Sequence, residues 1–218
     1  MSFLMALMSA SAQEPTEKWP YYYDSFGYGV IRMTDGTLLE DTSLNICITD
    51  ESLHYISVDG KIMAAKMLTV FSARIGHDVW VRVGTRMMKV LAESEEAAVL
   101  GSYSVDQDKL EGTDIGYGIS SKTASSQKLT TYAMSSAGMI NMDLREAITQ
   151  KNNGQELPVK SVKYLRAGKR VVQAGKRYVL AIDGIDKAAA NAFFKQNKIK
   201  WNNDESLLKV AEFLLQYE

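Results

Sequence analysis

The chain has 218 residues, long enough to bury a sizeable core as one large domain or two small ones. With 46% hydrophobic and 23% charged residues it has the composition of a folded globular protein, and its net charge of −1 gives no overall attraction to nucleic acid. The single cysteine, Cys47, excludes an intramolecular disulfide framework and a thiolate metal cluster.

Residues 1–12, "MSFLMALMSASA", join an apolar run to the small-x-small pattern Ala10-Ser11-Ala12 ahead of Gln13. They read as a truncated secretory leader, short and without a leading Lys or Arg, and predict export to the periplasm or cell surface. No apolar run approaches the roughly 20 residues of a transmembrane helix. Residues 13–27 follow as an aromatic strap. Six aromatic side chains fall in the ten positions from Trp19 to Tyr28, out of 20 in the chain. The strap is expected to lay its rings over an open face of the following sheet with each hydroxyl wet. Stacking on a carbohydrate or peptide, or contact with a membrane interface, are the other uses of such a run.

Residues 28–105 read as an antiparallel β domain. Short alternating runs ("YGVIRM", "LNICIT", "LHYISV", "VWVRV", "AAVLGSYSV") are separated by turn signals, with Asp35-Gly36 and Asp59-Gly60 the strongest. Cys47 lies in one such run and is expected to be a buried small apolar residue. His54 is expected on an exposed strand position and His77 in a turn. Residues 106–156 form a polar connection rich in Gly, Ser and Thr, in which "MDLREA" fits a helix or a strand equally.

Residues 157–218 hold basic strands and then a helical hairpin. "AGKR" occurs twice, at 167–170 and 174–177, and predicts Gly-centred turns between two or three strands. Asp186 is placed to cap a first helix, and Asn203 or Asp204 a second. In the second, Leu207, Val210, Ala211 and Leu214 fall on one face at helical spacing. The pair must pack on something, most simply the β part. The expected fold class is therefore α+β: a mainly antiparallel meander or barrel-like body with a C-terminal helical hairpin.

The stretch "GVIRMTDGTLLEDTSLNICITDESLHYISVDGKIMAAKMLTVFSARIGHDVWVRV", the Ser/Thr-rich "GYGISSKTASSQ" and the ending "AFFKQNKIKWNNDESLLKVAEFL" together resemble a family of uncharacterised exported proteins of Gram-negative bacteria. The resemblance covers roughly residues 28–218. It implies this architecture and export, and it implies no activity.

Reactive constellations are few. The two histidines have no metal-binding spacing, so no zinc site is expected. Ser125 and Lys128 share the S-x-x-K spacing of penicillin-recognising enzymes but lie in a polar loop without the other motifs. Asp106, Asp108 and Asp114 resemble a calcium loop with Leu110 where a ligand belongs and Gly112 one place late. Between Lys160 and Arg177 there are seven basic residues and no acid. Such residues blunt sheet edges, or they meet an anionic partner. The terminal helical pair carries one basic residue, Lys209, on its second helix and does not suit DNA reading.

The sequence thus predicts an exported, non-enzymatic binding or interaction module of the cell envelope. No cofactor or metal is expected, and the partner would be an envelope glycan or protein rather than nucleic acid. The candidate ligand-binding residues are Trp19, Tyr21, Tyr22, Tyr23, Lys169, Arg170, Lys176 and Arg177. The alternatives are a structural adaptor in an envelope complex and a hydrolase whose carboxylates, such as Glu95, Asp106 and Asp108, converge only on folding.

Overall fold

Tight turns and alternation build the sheet. The computed structural model describes residues 20–106, 142–143 and 159–217. Asp35-Gly36 closes β1 (Gly27–Met33) onto β2 (Leu38–Cys47), and Asp59-Gly60 closes β3 (Ser52–Ile56) onto β4 (Lys61–Ala64). Gly36 and Gly60 stand at φ 89° and 78°, the left-handed region that a side chain would strain. A 3-10 turn at Met67–Thr69 then delivers β5 (Val70–Ile75), followed by β6 (Asp78–Val83), β7 (Arg86–Glu93) and β8 (Ala97–Val105). His77 lies in the exposed β5–β6 turn, as expected.

β5 does not continue outward from β4. It returns to the far side of β1, so two meanders run in opposite directions from the central β1–β5 pair. β9 (Met142–Asp143) extends one end, and β10 (Val159–Ala167) with β11 (Arg170–Gln173) extends the other, giving eleven hydrogen-bonded strands among the described residues. All the pairings are antiparallel. β10 pairs with β8 from Val159↔Val105 to Ala167↔Ala97. The strands expected in 28–105 and in 157–218 therefore share one sheet.

Among the described residues the sheet is open, with β11 and β9 at its two ends, and not a closed barrel. It nevertheless curls enough for the β2–β3 turn to meet β7 and β8. The Glu51 carbonyl accepts from Met87 N at 2.7 Å. Its carboxylate accepts from Ser102 Oγ at 2.5 Å and lies 3.5 Å from Arg86. Glu51 itself holds φ 56°.

Three helices follow β11: α1 (Lys176–Val179), α2 (Lys187–Gln196) and α3 (Asp204–Leu214). Here one expectation is corrected. The second "AGKR" does not turn between strands; Lys176 and Arg177 open α1. Asp186 caps α2 by accepting from Ala188 N and Ala189 N, and Asn203 caps α3 by accepting from Ser206 N. Leu207, Val210, Ala211 and Leu214 are all buried, packed with Ala97, Val99, Leu165 and Ala167 of the sheet. The core falls into three clusters: one under this helical cover, one inside the curl centred on Leu44, Ile46, Leu53, Ile62 and Trp80, and a small one of Met88, Ala98 and Leu100.

Candidate functional site

The segment 20–26 seals the open end of the curl. Tyr22 N donates to Ile46 O and Ile48 N donates to Pro20 O, both at 2.9 Å, so the segment runs as a short strand beside the end of β2. Asn45 staples it. Its Oδ1 accepts from Tyr23 N at 3.1 Å and Ile46 N at 2.8 Å, while Nδ2 donates to Tyr23 O at 3.0 Å and Ser25 O at 3.2 Å. All four hydrogen-bonding positions of the buried amide are used.

The tyrosines face inward. Tyr22 meets Trp80 and Tyr103 edge-on with ring centroids 4.9 and 4.8 Å apart. Tyr23 Oη donates to Asp78 Oδ2 at 2.6 Å and accepts from Trp80 Nε1 at 3.0 Å. Lys89 Nζ, 2.8 Å from Asp78, also donates to Tyr22 Oη at 3.3 Å. The hydroxyls are thus engaged rather than wet, which corrects that part of the expectation. Tyr21 and Tyr22 have no open ring face for stacking a ligand. Trp19 lies outside the described residues.

Burial pushes the Tyr22 phenol up to about 12 and raises Tyr103 as well. Tyr23 is also raised by burial, and then by donating to the Asp78 carboxylate, which disfavours phenolate. Burial likewise lifts the Cys47 thiol to about 12. Groups whose folded values are raised stabilise the fold fully below their unfolded values, about 10 for phenols and about 8.5 for a thiol. That contribution is lost as pH rises through the folded values. We therefore expect denaturant stability to fall steeply between about pH 9 and 12, each withheld proton tilting it by about 1.4 kcal/mol per pH unit. Phenolate absorbance should show a late-titrating class coincident with unfolding; a flat stability profile to pH 11 would contradict this network.

The predicted basic site is divided. Lys169 and Arg170 lie at the β10–β11 turn, whereas Lys176 and Arg177 lie beyond the other end of β11. A four-residue strand separates the pairs by about 10 Å. Arg170 is only half exposed, and Arg177 stacks on Tyr178 with its guanidinium 4.4 Å from the ring centroid. Lys163 is held by Asp204 at 2.6 Å and by the Asn202 carbonyl at 3.1 Å. Glu95 and Asp106 lie beyond opposite ends of β8, a nine-residue strand about 26 Å long. Asp108, Asp114, Ser125 and Lys128 fall outside the described residues.

The fold also assembles a group that sequence spacing alone did not suggest. Hairpin register sets Cys47 opposite Ser52 and Asn45 opposite His54, placing all four on one face of the β2–β3 pair. His54 is 1% exposed, not the exposed strand residue expected. Its Nδ1 is 3.1 Å from Tyr21 Oη, and its Nε2 is 3.7 Å from Asp50 Oδ2 without a hydrogen-bond partner. Cys47, buried as expected, has its thiol 3.0 Å from Thr49 Oγ1. Burial raises the Asp50 carboxyl, but the His54 imidazole facing it and bonds from Ser52 and Cys47 outweigh that and hold it below the usual range. The donor atoms of Cys47, Asp50 and His54 all lie within 4.8 Å of one another. The readable signal was C-x2-D-x3-H wrapped symmetrically around a tight turn.

No family model, curated protein or solved structure matches the chain. No helix among the described residues is long and apolar enough to cross a membrane, which leaves strands unaddressed.

Proposed function

We propose that the protein is an exported, non-enzymatic interaction module of the cell envelope, meeting a partner protein at the corner formed by the β1–β2 turn and the start of β5. One observation carries the reading: large apolar side chains are exposed together around a stacked arginine. The register shift between Arg32 and Met33 leaves Phe71 as a bulge residue, 51% exposed, with the Arg32 guanidinium 5.3 Å from its ring centroid. Leu38 pairs with Arg32 across β1–β2 and so shares its face, and Leu68 stands in the turn leading to β5; both are exposed. Aromatic and arginine anchors amid aliphatic contacts are the composition of protein-binding hot spots. Bulges commonly re-aim a side chain at such places. The leader-like start and the resemblance to exported Gram-negative proteins support the location.

The test is site-specific photocrosslinking in native envelopes. A crosslinker replacing Leu68 should capture one discrete envelope protein, and one replacing the exposed Val58 in the β3–β4 turn should not. Phe71→Ala or Arg32→Ala should weaken that complex at least about tenfold, the effect of a modest hot spot. Identical capture from both positions, retention on isolated glycan instead, or robust hydrolysis abolished by one Ser, Asp or Glu substitution would each overturn the proposal. Mature protein from cells should begin near Gln13; an intact first dozen residues would remove the case for export.

A further inference from the structure

We propose that Cys47, Asp50 and His54 form a binding site for a single zinc ion, at a place separate from the interaction surface and independent of it. The trio brings one thiolate-forming, one imidazole and one carboxylate ligand to a single point, a donor set that suits zinc over the harder calcium or magnesium. In a tetrahedral zinc site neighbouring donor atoms stand about 3.5 Å apart, given bonds of about 2.0–2.3 Å. His54 Nε2 and Asp50 Oδ2 are already 3.7 Å apart, and no pair exceeds 4.8 Å. Closing the trio on an ion therefore needs movements of about 1 Å, which χ rotation of Asp50 at the turn can supply.

The orphaned nitrogen points to a ligand. A buried polar atom without a partner is uncommon, because it forfeits its hydration with nothing in return. His54 Nε2 is such an atom: it faces Asp50 Oδ2 at 3.7 Å, beyond hydrogen-bond distance, in a group that also includes Cys47. The ring is already held at its other nitrogen by Tyr21 Oη. A metal-ligating histidine is ordinarily fixed in this way by an outer partner, which sets its tautomer and frees the other lone pair.

Charge and access agree with it. Two anionic ligands neutralise a divalent ion, which a buried site requires. On binding, the Cys47 thiol gives up its proton to solvent and its sulfur bonds the ion, so loading releases a proton and weakens as pH falls. Asp50 is the one exposed member and opens the site to solvent. Open coordination positions remain for Thr49 Oγ1 or water.

The full chain, freed of metal by chelator, is titrated with Co2+ as a spectroscopic stand-in and with Zn2+ in competition. The expected result is one equivalent bound, with tetrahedral ligand-field bands, a sulfur-to-cobalt charge-transfer band, and displacement by zinc. Asp50→Asn, at an exposed position that leaves the core intact, should weaken binding more than about 100-fold, beyond what loss of an outer partner costs. Tyr21→Phe should weaken it about 10–100-fold while keeping the sulfur band. His77→Ala, in a distant turn, should change nothing. Absence of the sulfur band at saturating cobalt, or its persistence unchanged in Asp50→Asn and His54→Ala, would overturn the site.

Discussion

Trp80→Ala is expected to lower the unfolding free energy by about 3–5 kcal/mol, the range for emptying a large buried aromatic site. Trp80 is fully buried and touches the rings of Tyr22, Tyr23 and Tyr103 edge-on. Its indole N–H also donates to Tyr23, so truncation leaves a cavity and a weakened polar chain together. A domain is stable by only about 5–15 kcal/mol, so much of the margin disappears. Trp80→Phe should recover part of the packing while leaving Tyr23 without its donor. Equilibrium denaturation of the three proteins checks the order. A loss below about 1 kcal/mol for the alanine variant would show that the ring cluster is not the centre of the curl.

Asn45→Ala is expected to cost about 2–4 kcal/mol although it removes little apolar surface. The amide satisfies backbone groups of Tyr23, Ser25 and Ile46, and each buried group left unpaired costs about 1–3 kcal/mol, partly recovered by water at the half-exposed strap. The distinguishing readout is local. Amide exchange should accelerate at residues 20–26 and at the end of β2, while α3 and the Leu165–Ala167 end of β10, which belong to the helical core cluster, keep their protection. Uniform acceleration across the chain would contradict the division of the core into separate clusters.

These two residues also show what sequence patterning reveals. Alternation in "VWVRV" sets Trp80 and Arg82 opposite three valines without saying which side is buried, whereas the hairpins at Asp35-Gly36 and Asp59-Gly60 follow from local backbone chemistry. The α2 and α3 caps and the apolar face of α3 are equally local and were legible. What escaped depends on distant partners. Nothing near His54 in sequence signals that Tyr21 will cover it, so its burial could not be read from "LHYIS". The return of β5 to β1 is likewise a choice among edges that alternation leaves equivalent. At the second "AGKR" the following residues carry both strand and helix character, and packing of Val179 into the helical core decides for α1. The basic window looked like one patch because a linear count ignores the length of β11.

For the candidate site the lesson is sharper. Counting chemistry by residue type made the aromatics conspicuous and the lone cysteine dull. Folding reverses that weighting: the rings of Tyr21 and Tyr22 are sealed inside, and Cys47 gains an imidazole and a carboxylate as neighbours. Exposed apolar surface gathers instead at the bulged corner where the Arg32 guanidinium stacks on Phe71.

Hydroxyl-radical footprinting with residue-level readout puts this inversion to the most direct test. The account predicts rapid labelling of Tyr28, 78% exposed, and of Phe71, with Tyr21 and Tyr22 protected until the protein unfolds. Labelling of Tyr22 in the native protein at the rate of Tyr28 would mean that the aromatic segment lies free on the surface, available to grip a ligand after all.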